Sequence, residues 1–165
     1  MRHVSLLIIG AVLTFGATAS TVRSSDSDAK SEINGIWGLT SGVVKGESMP
    51  DATAKTIHLT LRNGKYTARV GNQIDQGTYT VDASKTPKTL SLVGTSGPNK
   101  GKKMLAIYEL DKGTLKVCYD TSGKAFPEKF ESKADTASFL ATYTRQRASG
   151  KQLRLGSGLA PLQQK

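Results

Sequence analysis

Cysteine is almost absent from this chain: Cys118 is the only one in 165 residues. No internal disulfide can form, so a domain of this size has to stand on its hydrophobic core alone. A chain of this length buries enough surface for that. Histidine is nearly as scarce, with His3 and His58 the two present. That excludes a histidine-rich metal site, and the sequence leads us to expect neither a metal nor a cofactor. Acids are outnumbered 13 to 23 by Lys and Arg, a formal charge of +10 that favours anionic partners. The bland alternative is an evenly solvated basic surface. No apolar run approaches the roughly 20 residues a helix needs to span a bilayer.

The longest such run, Val4 to Phe15, has a different meaning. Arg2 and His3 precede it and the small residues Gly16-Ala17-Thr18-Ala19 follow it. Short basic start, apolar middle and an Ala-x-Ala site are the pattern of a secretory signal peptide. Residues 1–19 are therefore expected to be removed near Ala19, leaving no transmembrane segment and a periplasmic or extracellular product. The leader holds no cysteine, which speaks against a lipid anchor. Residues 20–31, rich in Ser, Asp and Lys, read as a disordered spacer. Residues 148–165 read as a mobile basic tail, and 32–147 as one folded domain.

Within that domain, short apolar–polar alternations are separated by turn residues, the signature of strands. The first runs from Ile33 to Val44 and is interrupted by Gly35, Gly38 and Gly42, as a bent strand would be. Others follow at Thr56–Arg62, Lys65–Val70, Gly77–Val81, Thr89–Val93, Lys103–Leu110, Thr114–Asp120 and Ala137–Arg145. Asn63-Gly64 between the second and third is a strong hairpin signal, because both central residues of a type I′ turn need positive φ. Strand six is apolar on both faces. Eight strands with hairpin-length links and no convincing helix predict an all-β fold, an eight-stranded antiparallel up-and-down barrel in preference to a sandwich.

Gly35-Ile36-Trp37 resembles the Gly-x-Trp motif that opens the first strand of lipocalins. That resemblance implies that Trp37 closes one end of the barrel, packed under an arginine from the end of the last strand. Arg145 stands in that place, and Gly35, Trp37 and Arg145 are the expected closure residues. A longer match covers Glu32 to Arg147. Its pieces are Asn34-Gly35-Ile36-Trp37, Gly77-Thr78-Tyr79-Thr80-Val81-Asp82, Lys85-Thr86-Pro87-Lys88-Thr89-Leu90, Gly97-Pro98-Asn99-Lys100-Gly101-Lys102, Ile107-Tyr108-Glu109-Leu110 and Leu115-Lys116-Val117-Cys118. In order and spacing these resemble a lipocalin-like exported domain family expanded in planctomycete bacteria. The chain departs from it where Ala125-Phe126-Pro127 precedes Glu128-Lys129-Phe130, since the family commonly has Arg-Pro there. The family carries no established activity, so the resemblance implies a fold and export, not a reaction.

The residues offer little to catalysis, and no catalytic residue is assigned. His58 and Cys118 share strand faces with Arg62 and Lys116, faces that should look outward, and nothing supplies the orienting third group of a triad. Asp82, Glu109, Asp111 and Asp120 sit at strand ends, where acids serve turns. The loop 94–103 lacks phosphate-loop spacing and leads into a strand, not a helix. Nucleic acid is not expected as a partner, because the tyrosines read first as core and not as stacking platforms. The coherent expectation is a binding protein. Tyr66, Tyr79, Tyr108, Tyr119, Tyr143 and Phe139 would line the bore, offering apolar walls with hydroxyl handles to a small hydrophobic or amphipathic ligand. The alternative is a barrel packed solid by those rings, acting through its basic surface on anionic cell-envelope polymers or proteins. Oligomeric state is not legible.

Overall fold

The computed structural model describes residues 22–147. The expected leader and basic tail lie outside the described residues. The strands are β1 (Gly35–Val44), β2 (Glu47–Ser48), β3 (Ile57–Arg62), β4 (Lys65–Val70), β5 (Gln73–Asp82), β6 (Lys88–Ser96), β7 (Lys103–Asp111), β8 (Thr114–Asp120) and β9 (Ser138–Gln146). Each long strand pairs antiparallel with the next, and β9 returns to β1 in a ladder from Ile36↔Gln146 to Val44↔Phe139. The eight long strands thus close into a barrel, with β2 a two-residue spur on β1. Closure removes the long free edges that would otherwise invite pairing with other chains. The eight predicted strands are all present, β4 and β8 at the predicted bounds.

Period-two alternation explains why these segments are strands. On β3, Ile57, Leu59 and Leu61 are buried while His58 and Arg62 are exposed. On β8, Leu115, Val117 and Tyr119 point inward. The Asn63-Gly64 turn has φ of 50° and 79°, the left-handed pair that a two-residue hairpin requires. Strand β1 bends at a bulge between Leu39 and Ser41. Gly77 sits at a second irregularity, where a Cβ would collide with the Val93 carbonyl and the Tyr66 ring.

Residues predicted as a disordered spacer instead form helix α1 (Val22–Ile33), and the first strand starts at Gly35, not Ile33. The composition is polar, but Asp26, Ala29, Lys30 and Ile33 fall at the i, i+3, i+4, i+7 spacing of one helix face. Ala29 and Ile33 are buried against one end of the barrel. Asp26 accepts a hydrogen bond from the Ala83 amide at 3.0 Å, and Lys30 lies 5.6 Å from the centre of the Tyr79 ring. Helices this short gain most of their stability from docking, which a stripe of two apolar residues does not announce.

A second small helix, α2 (Asp51–Ala54), lies between β2 and β3. Its Ala54 is buried, and the Met49 amide just before it donates to the Gly42 carbonyl at 2.7 Å, laying this segment over the opposite end of the barrel. The long connection from β8 to β9 explains the doubly apolar face of β7. Leu105, Ile107 and Cys118 point outward yet are buried. The connection runs past them, with the Cys118 thiol donating to the Glu131 carbonyl at 3.2 Å and Phe130 beneath the Lys116 ammonium at 5.1 Å.

A cavity at the open end of the barrel

The two ends of the barrel are built differently. At one end the α1 terminus, Trp37, Tyr79 and Arg145 form a floor. Trp37 is fully buried and its indole N–H donates to the Ile33 carbonyl at 2.9 Å. Arg145 lies with its guanidinium carbon 4.2 Å from the centre of the Trp37 ring, and donates to the Glu32 carbonyl at 2.6 Å and to the Asn34 carbonyl. The left-handed Gly35 leaves room for that guanidinium, which a Cβ there would strike. Asn34 completes the floor, its side-chain oxygen accepting from the Tyr79 hydroxyl at 2.8 Å and the Asn63 amide at 3.2 Å.

At the other end the bore is hollow. A cavity of about 340 Å³ opens between the α2 segment, the β4–β5 turn and the β6–β7 loop. Its wall is mostly apolar, with Leu59, Ala68, Leu92, Met104 and Phe139 among the lining residues. Of the six predicted lining aromatics, Tyr66, Tyr119, Tyr143 and Phe139 face this space. Tyr79 and Tyr108 point inward too, but at the floor, outside the cavity wall. Phe139 stacks on Tyr119 with ring centres 5.8 Å apart. The Tyr119 and Tyr143 hydroxyls share a hydrogen bond, which tethers two of the polar handles to each other.

The polar feature of this wall was not singled out by sequence reasoning. Asp75, on β5, is the buried charged residue among the described residues. Its carboxylate accepts from the Tyr66 hydroxyl at 2.8 Å, the Asn99 amide at 2.9 Å and the Asn99 side chain at 3.1 Å. These bonds pin the β6–β7 loop across the cavity mouth. Extending the alternation of β5 backward from Val81 through Tyr79 and Gly77 lands on Asp75, so the signal lies in a strand that begins four residues before its expected start.

Burial raises the pKa of all five tyrosines above the ordinary 10. For Tyr66 the Asp75 carboxylate adds to the effect of burial. Tyr108 is pushed up to about 12 by burial and then by the carboxylates of Glu32, Asp26 and Asp82, and its hydroxyl has no hydrogen-bond partner among the described residues. Tyr143 also reaches about 12, by burial.

The other groups weighed for chemistry are scattered. His58 is exposed on β3, while Cys118 is sealed under the β8–β9 connection, and β1 and β9 lie between their strands. Cys118 faces outward as expected but is covered, and burial raises its thiol pKa. Asp82 caps the turn through Ser84, whose hydroxyl holds its carboxyl below the usual range. Partial burial pushes Asp120 up, but hydrogen bonds from Ser122, Ala125 and Lys124 outweigh it and leave it lowered. Among the described residues no three His, Cys, Asp or Glu side chains converge as a metal site would need. A hollow of about 530 Å³ lies outside the barrel, between the β5–β6 turn and Phe126-Pro127. It is a surface groove without a buried polar side chain, so the bore is the better-built site.

No protein-family model, curated protein or solved structure matches this chain.

Proposed function

We propose that this protein is an exported binding protein that holds a small hydrophobic or amphipathic molecule in the open end of its barrel. The observation that carries this reading is the cavity of about 340 Å³ beside Tyr66, Tyr119 and Tyr143. A barrel packed solid by its rings would have no such space. The volume sits at the lower end of the 300–1,000 Å³ typical of small-molecule sites, and an apolar wall with a few placed polar groups is their usual make-up. The resemblance to lipocalin-like exported domains supports the export in this reading, and implies no ligand. Trp37 and Arg145 serve the floor and not the ligand.

The test is native mass spectrometry of the freshly purified protein beside the same sample denatured. The expected result is an adduct of small-molecule mass that is released on unfolding. No adduct, together with no uptake of an apolar fluorescent probe, overturns the reading.

A second reading has its own observation. Strands β9, β1, β3 and β4 are consecutive around the barrel and contain no acidic residue. On β3 and β4, Arg62 lies directly opposite Lys65 on the exposed face. Like charges placed opposite each other are unfavourable on a sheet. A linear polyanion lying along this hairpin would relieve that repulsion, as expected of a module acting on envelope polymers. Such binding fades at high ionic strength, whereas an apolar ligand in the bore stays.

A further inference from the structure

We propose that the ligand of the bore is an amphipathic cation, with an apolar body in the cavity and an ammonium-type head that donates a hydrogen bond to Asp75. This rests on the bore being a ligand site and names the chemistry of that ligand.

The argument starts from an imbalance of charge. Asp75 is only 7% exposed, and its hydrogen-bond donors, the Tyr66 hydroxyl and two N–H groups of Asn99, are all neutral. No cation pairs with it: the ion pair found among the described residues is Lys133 with Glu131, on the surface. A buried carboxylate without a counter-charge is costly, and hydrogen bonds offset that cost only in part. This one is also part of the cavity wall, together with both of its partners. A carboxylate offers roughly four acceptor sites, so three bonds leave about one for a ligand.

The rest of the wall suits the same molecule. Leu59, Ala68, Leu92 and Met104 present only apolar atoms to an alkyl or aryl body. Tyr66, Tyr119 and Tyr143 belong to the same wall, and an aromatic ring attracts a cation placed over its face. A fatty acid or other anion would instead bring its charge into an apolar space whose one charged group has the same sign. The chain as a whole carries a formal charge of +10, so the single acid of this pocket has the minority sign.

The experiment uses three probes of one body and three heads: octylammonium, 1-octanol and octanoate. Each is titrated into the whole protein by calorimetry, with displacement of an apolar fluorescent probe as the readout for the bore. Octylammonium is expected to bind at least tenfold more tightly than octanol, with octanoate weakest. Asp75→Asn is expected to bring the amine and the alcohol to within about twofold while octanol binding stays. Tyr79→Phe, which removes a buried hydrogen bond at the floor and leaves the cavity wall untouched, is expected to keep the amine preference, so the pair of variants separates charge from folding. Equal binding of the three probes to the unaltered protein overturns the cationic head and leaves the bore as a site. Binding by none of them overturns the bore itself.

Discussion

Trp37 and Arg145 are cross-strand partners on β1 and β9, and both donate hydrogen bonds to the end of the same helix. The last carbonyls of a helix have no partner within it. Here Glu32, Ile33 and Asn34 give theirs to the guanidinium and the indole N–H, with the cation at the negative end of the helix dipole. One stacked pair therefore seals the seam where the barrel closes and holds α1 as its floor.

Arg145→Ala is expected to lower stability by about 1–2 kcal/mol, from the lost stacking and the lost interaction with the helix end. Urea unfolding gives the magnitude, and amide exchange should show α1 losing protection before the strands do. Unchanged protection in α1 would mean the helix does not depend on this residue.

Tyr108 and Tyr79 make a matched pair at the floor. The Tyr79 hydroxyl is bonded to Asn34, whereas that of Tyr108 is buried without a partner among the described residues. Tyr79→Phe should cost roughly 1 kcal/mol, the net worth of one hydrogen bond. Tyr108→Phe should be neutral or stabilising by up to about 1 kcal/mol, since it removes an unsatisfied group. Chemical denaturation of both variants checks the contrast, and a clear loss at Tyr108→Phe would reveal a partner for that hydroxyl.

All five tyrosines have folded-state pKa values above the ordinary 10. Below pH 10 both folded and unfolded chains keep these protons, so the groups add nothing to the pH dependence. Above it the unfolded chain ionises first, and stability falls as pH rises toward and beyond about 12, where Tyr108 and Tyr143 titrate in the fold. Phenolate absorbance should accordingly stay low at pH 10–11 and then rise together with loss of the near-ultraviolet circular dichroism signal. Gradual ionisation with the fold intact would contradict this burial.

Ala68 lies half-buried on the cavity wall, next to open space. Ala68→Phe should fill much of the bore and reduce uptake of an apolar probe at least tenfold. Because the new ring enters a void and displaces little packed core, the stability change should stay below roughly 2 kcal/mol. Full uptake by a folded Ala68→Phe variant would place the probe elsewhere on the protein.

The strand order was legible from the sequence because one physical rule governs it. A strand buried on one face must alternate, and a left-handed Asn-Gly turn must join neighbours. His58, Thr60 and Arg62 against Ile57, Leu59 and Leu61 carry that rule on β3. The partnership of Trp37 with Arg145 was also anticipated, through its likeness to a known motif.

Other features were decided only by the tertiary structure, because they depend on what a segment meets and not on what it is. Residues 22–33 look like a solvated spacer until the barrel end gives Ala29 and Ile33 a surface and gives the helix its capping groups. Leu105, Ile107 and Cys118 look misplaced on an outer face until the β8–β9 connection covers them. Six aromatic residues share inward positions, yet four line a hollow and two pack the floor, a division set by how the two ends close. Alternation says that a side chain points into a barrel. Whether it meets another ring there or empty space depends on the volumes of all the residues facing it, and local sequence does not sum those.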